Sequence, residues 1–222
     1  MTRLRPTDYA GRALDPNKLF IGSGEFLRAC AAPDQFPPDK LPEIAFIGRS
    51  NVGKSSLINA LTARRALARS SKTPGRTQQI IFFDIKKTLT LADLPGYGHA
   101  KAPRAEQDNW NALIHHYLRS RPQLFCVCLL IDGRHGALAN DLSMMSFLDR
   151  AGISYQVVLT KIDQVKKPEQ PARFAQVEAL LAQHPAARSK ALAVSSEKNL
   201  GIEELRTLIT TLAGQFGTSR KY

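Results

Sequence analysis

A glycine-rich segment at residues 48–55 has the composition of a phosphate-binding loop. It reads GRSNVGKS and fits the pattern G-x-x-x-x-G-K-[ST]. Glycines let the backbone curve so that its N–H groups point at phosphate oxygens, and the start of a following helix adds partial positive charge. In such a loop Lys54 reaches the β- and γ-phosphates, and the Ser55 hydroxyl ligates Mg²⁺. The residues expected to contact nucleotide here are Gly48, Arg49, Ser50, Asn51, Val52, Gly53, Lys54, Ser55 and Ser56.

A second motif, Asp93-Leu94-Pro95-Gly96, follows an apolar stretch. A carboxylate at a strand end can hold the Mg²⁺ shell, and the N–H of Gly96 can approach the γ-phosphate. Taken alone, the motif is weak, because Asp and Gly at a strand end commonly form a turn. Its position after the phosphate loop favours the nucleotide interpretation.

Two further segments predict a guanine base. In Thr160-Lys161-Ile162-Asp163, the carboxylate of Asp163 can accept hydrogen bonds from N1–H and the 2-amino group of guanine. Adenine lacks that donor pair, and a site of this kind can reject the wrong ligand by up to about 10⁴-fold. The stem of Lys161 would lie along the base plane. In Val194-Ser195-Ser196, the backbone N–H of Ser196 can bond guanine O6, although a serine pair before a helix is also an ordinary cap.

The elements that would position these motifs alternate between short apolar runs and segments of helical period. This alternation predicts an α/β fold: a three-layer sandwich whose six-stranded, mostly parallel sheet contains one antiparallel strand and is flanked by about five helices. The predicted strands are 44–47, 79–85, 88–94, 124–131, 155–160 and 191–194. The predicted helices are 54–63, 104–120, 139–151, 171–184 and 201–216. Each nucleotide motif then falls at a strand's carboxyl end, where open α/β sheets bind ligands.

We expect three regions along the chain. Residues 1–42 are rich in proline and form an N-terminal extension, with one short strand or helix around Phe20 to Cys30. Residues 43–216 form the main domain, and residues 217–222 form a short basic tail.

Composition restricts the class of protein. The chain has 222 residues, 43% hydrophobic residues and a net charge of +12, so it can bury a sizeable core and would suit a polyanionic partner. A generally basic, soluble surface explains the charge equally well. The longest strongly apolar run, 124–131, is far shorter than the roughly 20 residues of a membrane-spanning helix, and no secretory signal is seen. Three cysteines cannot form a disulfide framework, which favours a reducing cytoplasm.

The motifs together resemble the TRAFAC-class GTPases, and more closely the EngB/YihA/YsxC family of bacterial ribosome-biogenesis GTPases. The segments that carry the resemblance are GRSNVGKSSLINAL (48–61), SKTPGRTQ (71–78), DLPGYGHAKAP (93–103), LLIDGRHG (129–136), TKIDQVKK (160–167) and VSSEKNLGIEEL (194–205). The resemblance covers about residues 20–216. It implies a P-loop GTPase domain that binds GTP and GDP, hydrolyses GTP slowly, helps to assemble the large ribosomal subunit and supports normal growth and division. A cytoplasmic monomer is expected.

The resemblance also assigns residues outside the phosphate loop. The segment Pro74-Gly75-Arg76-Thr77 would be switch I, and Thr77 would ligate Mg²⁺ and contact the γ-phosphate, with Thr73 as the alternative. Tyr97 stands where Ras-like enzymes carry the water-orienting Gln, and a phenol cannot do that work from the same place. We therefore assign no catalytic base and expect slow turnover, stimulated by a partner or by K⁺. Asn51 either helps to hold a K⁺ ion, as in related GTPases with Asn here, or makes hydrogen bonds within the loop.

Half of the excess positive charge falls in residues 64–87, beside switch I. This basic block contains seven Lys and Arg residues and one acidic residue: Arg64, Arg65, Arg69, Lys72, Arg76, Lys86, Lys87 and Asp84. Either the block balances nucleotide charge, or it forms an RNA-facing patch that responds to the nucleotide. The leading hypothesis is a GTP-hydrolysing assembly factor that binds precursor rRNA or ribosomal proteins. The alternative is an RNA-binding module in which nucleotide is mainly structural.

Overall fold

A seven-stranded sheet is the central layer of the computed structural model, which describes residues 14–38, 40–68, 79–97 and 104–219, and the side chains of these except 104–108 and 217–219. Its strands are β1 (Glu25–Cys30), β2 (Glu43–Gly48), β3 (Ile80–Ile85), β4 (Leu89–Asp93), β5 (Leu124–Asp132), β6 (Tyr155–Thr160) and β7 (Leu192–Ala193). They lie in the order β1-β3-β4-β2-β5-β6-β7. β3 pairs antiparallel with β1 and β4, and the other pairs are parallel, so the expected mostly parallel α/β sheet is confirmed.

The sheet contains one strand more than the six predicted. The extra strand, β1, lies in the N-terminal region, within the stretch from Phe20 to Cys30 for which the sequence predicts one short strand or helix, and a short helix, α1 (Pro16–Phe20), precedes it. Four of the six β1 residues are exposed because β1 is an edge strand. It therefore lacks the continuous apolar pattern by which buried parallel strands are recognised in a sequence.

Five longer helices flank the sheet, as predicted: α2 (Lys54–Thr62), α3 (Arg104–Ser120), α4 (Ala139–Arg150), α5 (Gln170–Leu181) and α6 (Ile202–Ser219). Helices α1, α2 and α6 bury apolar side chains on one face, and α3, α4 and α5 do so on the other. The side chains of β5 alternate between these two apolar layers. Cys126 and Cys128 pack on the face covered by α1, α2 and α6, and Val127 and Leu129 pack on the face covered by α3, α4 and α5. No helix among these described residues is long and apolar enough to span a membrane.

A buried polar cluster fixes the beginning of the strand that leads to the phosphate loop. Glu43, at the start of β2, is 1% exposed and accepts hydrogen bonds from the Tyr117 hydroxyl (2.6 Å) and from the Arg121 guanidinium (2.8 and 3.1 Å). Arg121 also donates to the carbonyl of Pro37 at 2.9 Å. The cluster thus joins the end of α3 and the N-terminal segment to β2.

Candidate nucleotide-binding site

The phosphate loop connects the end of β2 to the start of α2. Gly53 precedes the helix with φ of 101°, a conformation that favours glycine, and Asn51 also has a positive φ of 63°. At Gly48, a Cβ atom would lie 2.8 Å from the carbonyl oxygen of Leu130, so only glycine fits between β2 and β5. The loop therefore has the curvature and the helix start that a phosphate cradle requires.

Lys54 and Asp93 meet at the mouth of this loop. The Lys54 ammonium forms an ion pair with the Asp93 carboxylate, and both side chains are largely buried, with 14% and 7% exposed. Parallel pairing of β2 with β4 places Asp93 beside Phe46, two residues before the loop begins at Gly48. A lysine and a carboxylate thus meet beside the start of α2, which offers both a phosphate contact and an oxygen ligand of the kind that Mg²⁺ prefers.

The segment after Asp93 runs against the phosphate loop through its backbone. The N–H of Tyr97 donates to the carbonyl of Gly48, and the N–H of Ser50 donates to the carbonyl of Tyr97, both at 3.2 Å. A Cβ atom at Gly96 would lie 3.3 Å from the Gly48 oxygen and from the Ser50 nitrogen. Glycine at this position therefore permits the close approach of the two loops.

The side chain of Tyr97 is held by helix α4. Its hydroxyl donates to Asp141 at 2.7 Å, and Asp141 is 1% exposed in the first turn of α4. The second oxygen of Asp141 accepts the backbone N–H of Leu138 at 2.8 Å. Burial, followed by the charge of Asp141, raises the pKa of Tyr97 far above its ordinary value, so the phenol stays protonated. No residue pattern singles out Asp141, because a carboxylate in a first helical turn is common.

The predicted guanine segment at the end of β6 is tied to the phosphate loop. The Thr160 hydroxyl donates to the carbonyl of Val52 at 2.7 Å, and the Lys161 ammonium donates to the carbonyl of Asn51 at 2.7 Å. Lys161 has a positive φ of 55°, after which residues 162–164 form one turn of 3₁₀ helix that carries Asp163. The predicted guanine segment and the phosphate loop are thus joined by direct hydrogen bonds.

The Val194-Ser195-Ser196 segment follows β7 and lies beside the Thr160–Asp163 segment. The N–H of Ile162 donates to the carbonyl of Val194 at 3.2 Å, and the hydroxyl of Ser195 accepts the N–H of Lys198 at 3.0 Å. A cleft of about 520 Å³ lies between the two segments, a volume that suits a nucleotide base and sugar. Residues of both segments and of α2 line this nucleotide cleft, among them Ser56, Lys161, Asp163, Ser195 and Ser196.

Asp132, at the end of β5, is a site residue that the residue patterns did not single out. Its carboxylate accepts the Lys161 ammonium at 2.9 Å and both the Nε and an Nη of Arg134 at 2.9 and 2.7 Å. These hydrogen bonds outweigh burial and hold the pKa of Asp132 well below its ordinary value. Arg134 also donates to Gln164 at 3.1 Å, which links this pair to the 3₁₀ turn of Asp163. The signal was available in the segment LLIDGRHG, where an Asp ends a buried strand beside the phosphate-loop strand.

Several expected site residues lie outside the described part of the chain. Switch I, with Pro74, Gly75, Arg76, Thr77 and the alternative Thr73, belongs to residues 69–78, and switch II beyond Tyr97 belongs to residues 98–103. The basic block is described in part. Arg64 and Arg65 are exposed, and both line the nucleotide cleft. Lys86 bonds the backbone carbonyl of Lys18, and Lys87 occupies the β3–β4 turn.

Comparison with known proteins agrees with this geometry. Residues 43–161 match a family model described as "50S ribosome-binding GTPase". Among similar proteins, the probable GTP-binding protein EngB of Bradyrhizobium diazoefficiens is 53% identical over 88% of this chain and 91% of its own length. That of Gluconobacter oxydans is 49% identical over 92% of this chain and 90% of its own length.

Solved structures show the same fold. A crystal structure of a probable GTP-binding protein EngB aligns with a TM-score of 0.62 and 26% identity, covering 78% of this chain and 99% of that one. A structure of Era in complex with MgGDPNP and a piece of 16S ribosomal RNA aligns with a TM-score of 0.63 over 79% of this chain and 57% of that one. At 20% identity, the second likeness supports the fold alone. The identities near one half across almost the whole chain show that this GTP-binding GTPase belongs to the EngB family.

Proposed function

We propose that this GTPase acts as an assembly factor for the large ribosomal subunit and binds precursor rRNA or ribosomal proteins in a nucleotide-dependent way. The main support is the match of residues 43–161 to a family described as ribosome-binding. The Era structure with an rRNA fragment shows that this fold can serve an RNA partner in another protein. A cytoplasmic monomer that supports growth and division fits this role.

The proposed chemistry begins with the phosphates. Lys54 neutralises the β- and γ-phosphates, while Ser55 and Thr77 ligate Mg²⁺ and Asp93 holds its shell. When bound, Mg²⁺ would supply positive charge that offsets the negative charge of the phosphates. The Lys54–Asp93 ion pair supports these roles, because it brings the two charged groups together beside the start of α2.

Slow intrinsic hydrolysis is the second part of the proposal. Tyr97 occupies the position of the usual Gln, and its hydroxyl is already bonded to Asp141 at 2.7 Å. A protonated phenol held by α4 does not orient an attacking water, so a partner has to complete the site. An arginine supplied in trans can be worth about 10³–10⁵ in rate. K⁺ bound near Asn51 is the alternative source of stimulation, and equal hydrolysis rates in K⁺ and Na⁺ would exclude it.

The alternative function is an RNA-binding module in which nucleotide mainly supports the fold. Lys54→Ala separates the two functions, because it removes the phosphate contact and leaves the rest of the surface intact. A GTP-driven assembly factor loses GTP hydrolysis and nucleotide-dependent binding to the large-subunit precursor together. A module retains precursor affinity in the variant, so retention measured by co-sedimentation would favour the alternative. Circular dichroism of the variant, compared with wild type, reports whether it is folded.

A further inference from the structure

A second cleft, the β1 cleft, lies at the edge of the sheet outside the nucleotide site. It has a volume of about 740 Å³ and is bounded by strands β1 and β3 and by the segment 64–67 after α2. Gly24, with φ of 92°, lets the chain pass so close to this segment that a Cβ atom would lie 2.4 Å from Leu67. The fold thus brings the start of β1 against the segment and leaves an open trough beside the contact.

Aromatic and aliphatic side chains form one wall of the β1 cleft. Phe26 of β1 is 63% exposed, and it lies opposite Phe83 in the antiparallel pair with β3. Cross-strand partners share a face of the sheet, so the exposed ring of Phe26 continues the buried apolar surface of Phe83. Ile81, two residues along β3, lines the same face. A base could therefore stack on a ring that is already backed by the core.

The facing wall is cationic. Arg64 and Arg65 are both exposed and line the cleft, and no carboxylate is found among its described lining residues. Among the described residues, Arg64 donates to the carbonyl of Gly22 at 3.3 Å, and a guanidinium has five N–H donors in all. Glu25 precedes Phe26 in the strand and so points to the opposite face of the sheet. The β1 cleft therefore combines an exposed ring with two guanidinium groups at close range.

We propose that the β1 cleft binds unpaired RNA, with a base stacked on Phe26 and the flanking phosphates paired with Arg64 and Arg65. This inference deepens the proposed function, on which it rests, by naming single-stranded RNA as the chemical class of the partner. Aromatic rings and a positive groove are the two features by which proteins hold single strands without reading sequence. A peptide would use the apolar wall but would have no specific need for an aromatic ring, and the net charge of +12 favours a polyanion.

The two clefts share a wall. Arg64 and Arg65 line the nucleotide cleft as well as the β1 cleft. A nucleotide bound on one side therefore changes the charge and space available to the same guanidinium groups on the other. This arrangement gives RNA binding at the β1 cleft a direct physical connection to the nucleotide state.

The test measures binding of a fluorescent, unstructured oligoribonucleotide of about 12 nucleotides to the full chain at a saturating concentration of a non-hydrolysable GTP analogue, by anisotropy. Phe26→Ala and Phe26→Leu should each weaken binding by about tenfold or more, because both remove the stacking ring. Phe26→Tyr should restore it. Arg65→Gln should make the slope of log affinity against log salt shallower by about 0.7, and Arg188→Gln, which removes an exposed guanidinium near the opposite edge of the sheet, should not.

Three results would overturn the proposal. The first is wild-type affinity in Phe26→Ala. The second is wild-type affinity in Phe26→Leu alone, which would mean that an apolar contact and not ring stacking holds the RNA. The third is absence of oligonucleotide binding at about 50 mM salt. If the β1 cleft does not bind RNA but the proposed function is correct, Phe26→Ala still co-sediments with the large-subunit precursor in the GTP state. If wild type does not co-sediment in either nucleotide state, the proposed function itself fails.

Discussion

Asp132 should control nucleotide affinity without touching the nucleotide phosphates. We expect Asp132→Asn to weaken GDP binding, because the Lys161 ammonium loses its charged partner at 2.9 Å and the guanine-recognition turn loses its link through Arg134. The pKa of Asp132 lies well below its ordinary value, so the carboxylate is ionised throughout any neutral assay. The substitution therefore removes a full negative charge from a side chain that is 12% exposed.

The expected loss of GDP affinity depends on the hydrogen bond that Lys161 keeps when Asp132 is replaced. A hydrogen bond to a charged group contributes about 1.5–3 kcal/mol, but Lys161 keeps its second bond to the carbonyl of Asn51 at 2.7 Å. We therefore expect a loss of about 1–2 kcal/mol, or roughly 5- to 30-fold in the GDP dissociation constant. Arg134→Gln is the matched control, since it leaves the Asp132–Lys161 contact in place and removes only a partner that is 40% exposed.

The assay is a fluorescence titration with a labelled GDP, accompanied by urea unfolding of each variant. Unchanged GDP affinity in a folded Asp132→Asn protein would refute the role given to the Asp132–Lys161 pair. Equal losses in Asp132→Asn and Arg134→Gln would instead place the effect in the Arg134–Gln164 link.

Three further predictions follow from the same contacts. Asp163→Asn should lower GDP affinity by about a hundredfold or more and improve binding of xanthosine diphosphate, because the 2-oxo group of xanthine accepts a hydrogen bond where the 2-amino group of guanine donates one. Competition titration with both nucleotides checks this prediction, and equal losses for both would count against the guanine role of Asp163. Tyr97→Phe should leave one oxygen of the buried Asp141 without its 2.7 Å donor and lower the free energy of unfolding, measured by urea titration, by about 1–3 kcal/mol. Intrinsic GTP hydrolysis should fall little, and a loss beyond about tenfold would indicate a catalytic role for Tyr97. Arg121→Met should destabilise the fold by about 3–5 kcal/mol because the 1%-exposed Glu43 loses its positively charged partner and keeps only the Tyr117 hydroxyl, and Glu43→Gln in the same chain should recover part of that loss; an additive loss in the double variant would contradict pairing.

The sequence predicts those parts of the molecule whose chemistry is local. The phosphate loop requires glycine at Gly48 and Gly53, and buried strands such as β5 and β6 are apolar at nearly every position, so both are visible in the residue pattern. The helices also lie within a few residues of the predicted ranges, because their apolar periodicity continues through them.

The parts that the sequence did not predict depend on contacts between distant segments. For the segment of β1 the sequence predicts a short strand or a helix without deciding between them, because four of its six residues are exposed; pairing with β3, 50 or more residues later in the chain, makes it a strand. Asp141 lies 44 residues from Tyr97, and Asp132 lies 29 residues from Lys161. No local pattern distinguishes a carboxylate such as Asp141 from those that simply begin a helix or a turn, and for Asp132 the pattern marks only the end of a buried strand, not its contact with Lys161.

Sedimentation tests the central claim, nucleotide-dependent binding to the large ribosomal subunit, most directly. Cell extract or purified large-subunit precursor is centrifuged through a sucrose gradient with the protein and either GDP or a non-hydrolysable GTP analogue, and Lys54→Ala serves as the control for nucleotide binding. We predict co-migration of the wild-type protein with the large-subunit particle in the GTP-analogue state, little in the GDP state, and none for Lys54→Ala in either. Equal co-migration in both nucleotide states, or undiminished co-migration of Lys54→Ala, would contradict the account.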